Sequence, residues 1–220
     1  HSCSATLIGP FSVITAAHCV YDHDAGGWIA DGVFIPGAVD AENAPFGTFG
    51  WANINILKGF IDNYQDNYGD VMPWDLAEIE LDGDAGNQLG WMGFRADDAS
   101  DFHATMIGYP GDKPDGTMWT TTCDIPAKNF DDTNFIHTCD MTPGSSGSSM
   151  FEDLNGETYI RGINIAEDNE KVPADQRVNY GLRINDSYFQ FETVHVRKDG
   201  STVEVALTIS PVRDRSGCDA

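Results

Sequence analysis

Positive charge is what this chain of 220 residues has least of: 12 Lys and Arg stand against 35 Asp and Glu, a formal charge of −23 with neutral histidine. Binding to nucleic acid or to an anionic membrane needs a cationic footprint, so neither is expected among its partners. No apolar run approaches the roughly 18 to 20 residues of a spanning helix, which removes a second route to the membrane. Cys-x-x-Cys pairs are missing, and with them the commonest zinc knuckles and redox motifs; these residues call for no metal and no cofactor. Internal repeats are absent, and long stretches with a 3.6-residue apolar period are few.

What the chain does have is 41% hydrophobic residues, enough for a sizeable core, with 23 Gly and 10 Pro to punctuate it. Short β-prone runs bounded by turn residues fall at 5–8, 12–16, 32–35, 51–57, 76–81, 104–108, 118–123, 135–139, 149–152, 159–165 and 179–183. That density predicts an all-β fold. A helical turn is expected at 15–19, and a second short helix at 187–192, capped by Asn185 or Asp186. Beyond it, alternating apolar residues flank Lys198-Asp199-Gly200, a strong hairpin turn signal, so 193–220 reads as an added hairpin and tail. The Asp- and Gly-rich stretches at 82–90 and 97–101 mark a boundary between two halves.

Of the five cysteines, Cys3 and Cys19 are 16 residues apart, as are Cys123 and Cys139. Each pair brackets neighbouring strands, so two disulfides and an oxidising compartment are the expected reading, with reduced core cysteines as the alternative. Cys218 is left over.

Three segments carry chemistry: Thr15-Ala16-Ala17-His18-Cys19, Asp75-Leu76-Ala77 and Thr142-Pro143-Gly144-Ser145-Ser146-Gly147-Ser148-Ser149. A serine hydroxyl needs an imidazole to take its proton, and the imidazole needs a carboxylate to fix its tautomer and stabilise its cation. His18, Asp75 and Ser146 supply the three. Gly144 and Gly147 allow a tight turn in which the N–H groups of Gly144 and Ser146 converge on a developing oxyanion. The His-Asp-Ser order excludes the α/β-hydrolase arrangement. The acidic loop at 62–70 offers hard oxygen ligands, but its spacing is not that of an EF-hand, and a solvated surface loop is expected. His23, His103, His137 and His195 are expected to be structural.

These segments, together with Phe34-Ile35-Pro36-Gly37 and Ile107-Gly108-Tyr109-Pro110-Gly111-Asp112, resemble secreted chymotrypsin-fold serine proteases. The likeness is to the bacterial trypsin-like and glutamyl-endopeptidase-like branch, over about residues 1–190. The resemblance implies two six-stranded antiparallel β-barrels. Residues 1–100 would carry His18 and Asp75, lacking the segment that family members place before Cys3, and 101–192 would carry Ser146. It implies a monomeric endopeptidase, extracellular or periplasmic, acting on proteins or peptides. The alternative is a non-catalytic homologue that binds through the same cleft.

Two positions depart from the family: Ser149 stands where proline is usual, and Ser145 where a trypsin-like enzyme has an aspartate that latches a freed N-terminus. The pocket residues pull in two directions. Asp140, six before Ser146, resembles the aspartate that pairs with Arg or Lys in trypsin-like enzymes. In glutamyl endopeptidases a histidine binds the substrate carboxylate, and Asn164 stands at its place, followed by Glu167. Repulsion of an acidic side chain by Asp140, Glu167 and the net charge leads to the expectation of cleavage after Arg or Lys, with cleavage after Glu as the alternative.

Overall fold

In the computed structural model the described residues are 2–29, 32–40, 42–96, 99–168, 171–173, 175–185, 192–197 and 202–206, the last two segments as backbone. The first half contributes β1 (Thr6–Leu7), β2 (Ser12–Thr15), β3 (Tyr21–Asp22), β4 (Gly27–Trp28), β5 (Val33–Phe34), β6 (Phe49–Leu57) and β7 (Ala77–Leu81). The second contributes β8 (Gly93–Phe94), β9 (Phe102–Gly108), β10 (Trp119–Ile125), β11 (Asn134–His137), β12 (Ser149–Leu154), β13 (Glu157–Glu167) and β14 (Asn179–Arg183). A last pair, β15 (Glu192–Arg197) and β16 (Thr202–Ala206), forms an antiparallel hairpin.

Alternation decides which faces are buried. In β7, Ala77, Ile79 and Leu81 point inward while Glu80 is exposed; β9 buries Phe102, Ala104 and Met106 in the same two-residue rhythm. Each fully buried Ile or Phe contributes about 1.5–3 kcal/mol relative to exposure. These faces define two curled sheets. The first runs β1-β2-β7-β6-β15-β16 with β5 also on β6, and the second runs β10-β9-β12-β13-β14-β11 with β8 parallel on β13. Each holds seven strands rather than the six expected of each barrel. Of the hairpin and tail expected at 193–220, the described strands β15 and β16 add to the first sheet, because β15 pairs antiparallel with β6 from Thr193↔Leu57 to Arg197↔Asn53. Of the helix expected at 187–192, residues 187–191 lie outside the described residues and Glu192 opens β15; the Lys198–Gly200 turn and Cys218 also lie outside them.

The seam between the halves is itself a core. Ile14, Ala16, Cys19 and Leu57 from the first half pack with Ile160, Ile163, Ile165, Leu182 and Ile184 from the second. Around it are two cores internal to the halves, one centred on Val13, Ile56, Phe60 and Ile79, the other on Phe102, Met106, Phe135 and Met150. Disulfides join Cys3 to Cys19 and Cys123 to Cys139. Short helical turns absent from the sequence reading occur at Lys58–Asp62, Tyr68–Asp70, Met72–Trp74, Gly86–Leu89 and Ala127–Asn129; at three to five residues they are too short to show a period. Among the described residues no helix is long and apolar enough to cross a membrane.

Candidate active site

His18 sits in the 3-10 turn Ala17–Cys19, directly after β2 and beside the disulfide, so its backbone is fixed on both sides. Asp75 ends a second 3-10 turn, Met72–Trp74, opened by Pro73, and precedes β7, which pairs with β2 from Ser12↔Glu80 to Thr15↔Ala77. The adjacent strands therefore deliver both side chains to one end of the sheet. Nδ1 of His18 lies 2.7 Å from Oδ2 of Asp75, and the His18 backbone N–H donates to Oδ1 at 2.8 Å. Asp75 is fully buried, whereas His18 keeps a quarter of its side-chain surface exposed. The ring thus has one nitrogen tied to a carboxylate and one edge open. Burial pulls the His18 pKa down, but the charge of Asp75 and its hydrogen bond outweigh this, and the net result lies above 6.5.

The serine loop is built from its carbonyls. Pro143 C=O accepts from the N–H of Gly111, Gly144 C=O from the Ser4 hydroxyl, Ser145 C=O from the N–H of Ser148 and the Asn164 amide, and Ser146 C=O from the N–H of Ser4. Gly144 adopts φ +100° and Gly147 φ +83°. A Cβ on Gly147 would lie 2.1 Å from Thr15 Oγ1 and 2.2 Å from the Ser4 carbonyl, so no larger residue fits there. With the carbonyls of Pro143 through Ser146 all held, the N–H groups of Gly144 and Ser146 have no partner among the described residues. Ser146 is half-buried, and its carbonyl oxygen lies 3.9 Å from Sγ of Cys19, the residue after His18.

The structure thus brings His18, Asp75, Gly144 and Ser146 to one seam. It does not bring the three pocket candidates together. Asp140 is exposed and lines a recess of about 60 Å³ with Met106, Lys113, Trp119 and Ser145, while neither Asn164 nor Glu167 borders that recess. Asn164 is fully buried; its amide donates to Ser145 C=O at 3.0 Å and its Oδ1 lies 3.1 Å from Nε2 of His137. The amide's orientation makes Oδ1 the acceptor, so neutral His137 carries its proton on Nε2. Desolvation takes the His137 pKa down to about 4, against the opposing pull of the Asn164 hydrogen bond and the Tyr180 backbone. Glu167 is exposed at the end of β13.

Sequence reasoning missed two residues here. Ser4 is buried and bridges the Tyr109 N–H to Gly144 C=O, stapling the start of the chain to the serine loop. Tyr68 donates its hydroxyl to Oδ2 of Asp75 and stands edge-on to His18 with ring centroids 5.9 Å apart. Neither is marked by a motif; only their place in the fold gives them a role.

The chain spans about half the length of the curated relatives it matches. One, the "Extracellular metalloprotease" of Bacillus subtilis, is 31% identical over 165 residues, 73% of this chain and 50% of that protein. Another, the "Glutamyl endopeptidase" of Bacillus licheniformis, is 30% identical over 191 residues, 86% of this chain and 57% of that protein. Among solved structures, a Glu endopeptidase superposes with a TM-score of 0.71 at 26% identity, covering 84% of this chain and 81% of that one. The protease Anisep of Arthrobacter nicotinovorans gives 0.63 at 19% identity, covering 82% of each chain, and supports the fold alone. No family model matches the chain.

Two curled sheets with His18, Asp75 and the serine loop at their seam define a chymotrypsin-fold protein. In sequence and in structure the chain is similar to glutamyl endopeptidases of bacteria. The preference for Arg or Lys expected from Asp140 finds no support in this company.

Proposed function

We propose that the protein is a secreted serine endopeptidase that cleaves peptide bonds through an acyl-enzyme, with an acidic side chain, glutamate above all, preferred before the scissile bond. The observation that carries the reading is the buried Asp75 holding His18 by ring and backbone beside a serine loop whose Gly144 and Ser146 N–H groups have no partner among the described residues. Ser146 Oγ attacks the substrate carbonyl carbon as its proton passes to Nε2 of His18. Asp75 keeps Nδ1–H in place and stabilises the imidazolium that forms. The carbonyl oxygen, now an oxyanion, is met by the two N–H groups, which need no reorganisation to receive it. The C–N bond breaks as His18 protonates the leaving amine, and a water activated by the same imidazole releases the acyl group. The preference for glutamate is supported by the names of two of the similar proteins, the glutamyl endopeptidase of Bacillus licheniformis and the Glu endopeptidase among the solved structures. Secretion is supported by the two disulfides and by the relative described as extracellular.

The test is the cleavage profile on a denatured protein mixture, read by mass spectrometry beside Ser146→Ala. Cuts after Glu that vanish in the variant are expected. Because His18 must be neutral to act as base and its pKa is raised, kcat/KM climbs with pH through a midpoint above 6.5. Cuts after Arg or Lys would overturn the preference, and cuts that persist in Ser146→Ala would overturn the triad.

A further inference from the structure

We propose that Tyr68 is a positioning residue of this site: its phenol holds the outer oxygen of Asp75 and through it sets the orientation and basicity of His18. The inference rests on the reading of His18, Asp75 and Ser146 as a triad. Three donors replace the water that the fully buried Asp75 carboxylate has lost: the His18 N–H on Oδ1, and the His18 ring and the Tyr68 hydroxyl together on Oδ2. The two groups sharing Oδ2 are the imidazole to be oriented and the phenol that fixes the oxygen in place.

The placement is built by both halves of the molecule. Asn67 caps the turn Tyr68–Asp70 by accepting from the N–H of Gly69, and the following turn Met72–Trp74 folds the chain back so that Tyr68 meets Asp75 seven residues on. From the other side, a β-bulge between Asn164 and Ala166 takes Ile165 out of the ladder with β14, and its carbonyl lies 3.3 Å from the Tyr68 oxygen. The phenol has one proton and two acceptors, and the ionised carboxylate is the stronger. Burial first, then the charge of Asp75 and the hydrogen bond to it, hold the Tyr68 pKa far above its ordinary value, so the hydroxyl stays a donor at any pH at which the enzyme works.

The direction of the effect on His18 follows. The hydroxyl turns its positive end toward Oδ2 and weakens the hold of Asp75 on the imidazolium; removing it strengthens that hold and raises the His18 pKa further. Among the described residues the titratable groups facing His18 are Asp75 and Tyr68, since the adjacent Cys3 and Cys19 are joined to each other. A Tyr68→Phe change keeps the ring and its edge contact with His18 and removes only the donor.

In Tyr68→Phe, kcat is expected to fall roughly tenfold with KM little changed, the loss of one charge-assisted hydrogen bond, and the acid limb of kcat/KM to move to higher pH. In an Asp75→Asn background the same change should cost nothing further. A Tyr68→Phe enzyme that loses thermal stability but keeps its kcat and pH profile would overturn the proposal, as would a full tenfold loss in the Asp75→Asn background. Titration of His18 followed by NMR, in Ser146→Ala with and without Tyr68→Phe, separates this from the triad reading. An upward shift supports the role of Tyr68 even where no Ser146-dependent cleavage is seen, and an unchanged titration overturns it.

Discussion

His137 offers a stability measurement whose size and sign follow from the structure. The side chain is 1% exposed, packed near Phe135 and hydrogen-bonded to Asn164, and desolvation lowers its pKa from 6.5 to about 4. The folded state therefore refuses a proton that the unfolded chain accepts. Stability from this group is fully present above pH 6.5 and is lost as the pH falls toward about 4. Linkage over those two values gives a loss of about 2 kcal/mol between pH 7.5 and pH 5, equivalent to a shift on the order of 1 M in a urea midpoint. Total stability also responds to the 35 carboxylates, whose mutual repulsion relaxes as they protonate, so the wild-type curve alone does not isolate the histidine. His137→Gln does: its amide can still donate to Asn164 Oδ1, and it does not titrate. Urea unfolding of both proteins in a Ser146→Ala background, which prevents self-digestion, should show the wild type losing about 2 kcal/mol relative to the variant on going from pH 7.5 to pH 5. A difference between the two proteins that is the same at both pH values would refute the buried, neutral assignment.

Two further outcomes are expected. Gly147→Ala should destabilise the fold by several kcal/mol and abolish cleavage, because both the left-handed backbone and the contacts with Thr15 and Ser4 forbid a Cβ. Gly156→Ala, at φ +87° with nothing within 4 Å, should cost only about 1 kcal/mol in the same denaturation assay, and equal costs would refute the steric argument. Replacing Cys3 and Cys19 together by serine opens a loop of 16 residues and should lower stability by about 3 kcal/mol, read from the denaturant midpoint; an unchanged midpoint would show the bridge to be idle.

The strands were legible where burial is one-sided. In β7 and β9 the alternation of apolar and exposed residues is the fold's own pattern written in sequence. The short turn at His18 and the paired cysteines were legible because their signals are local. The two-residue strands β3, β4 and β8 were not, since a pair of residues carries no period. Ser4 and Tyr68 were illegible for another reason: their partners Gly144 and Asp75 become partners only through the packing of β2 on β7 and of the N-terminal segment on the serine loop. His137 was expected to be structural, and the fold gives it a defined post under Asn164. Asp140 shows the converse failure. Position relative to Ser146 is readable in sequence, but the direction of the side chain depends on what packs around Met141 and Lys113, which is not.

The same limit bears on the expectation of a basic substrate, which finds no support among the relatives. That expectation weighed the whole charge of −23 against an acidic side chain, yet in physiological salt a charge acts over about 8 Å before ions screen it. An acidic residue beyond that reach governs solubility and the rate of encounter more than binding at the site. Close to the serine loop the balance is different. Asp140 is exposed to solvent, and Lys113 stands beside it, its ammonium held protonated first by its hydrogen bond to Asp112 and more weakly by the charge of Asp140. Thr142 donates to Asp112 and draws that carboxylate into the same network. Under the loop, Asn164 and His137 are both neutral. A carboxylate arriving at Ser146 thus meets a few solvated, partly paired charges, and the repulsion that net charge suggested shrinks to what those neighbours exert.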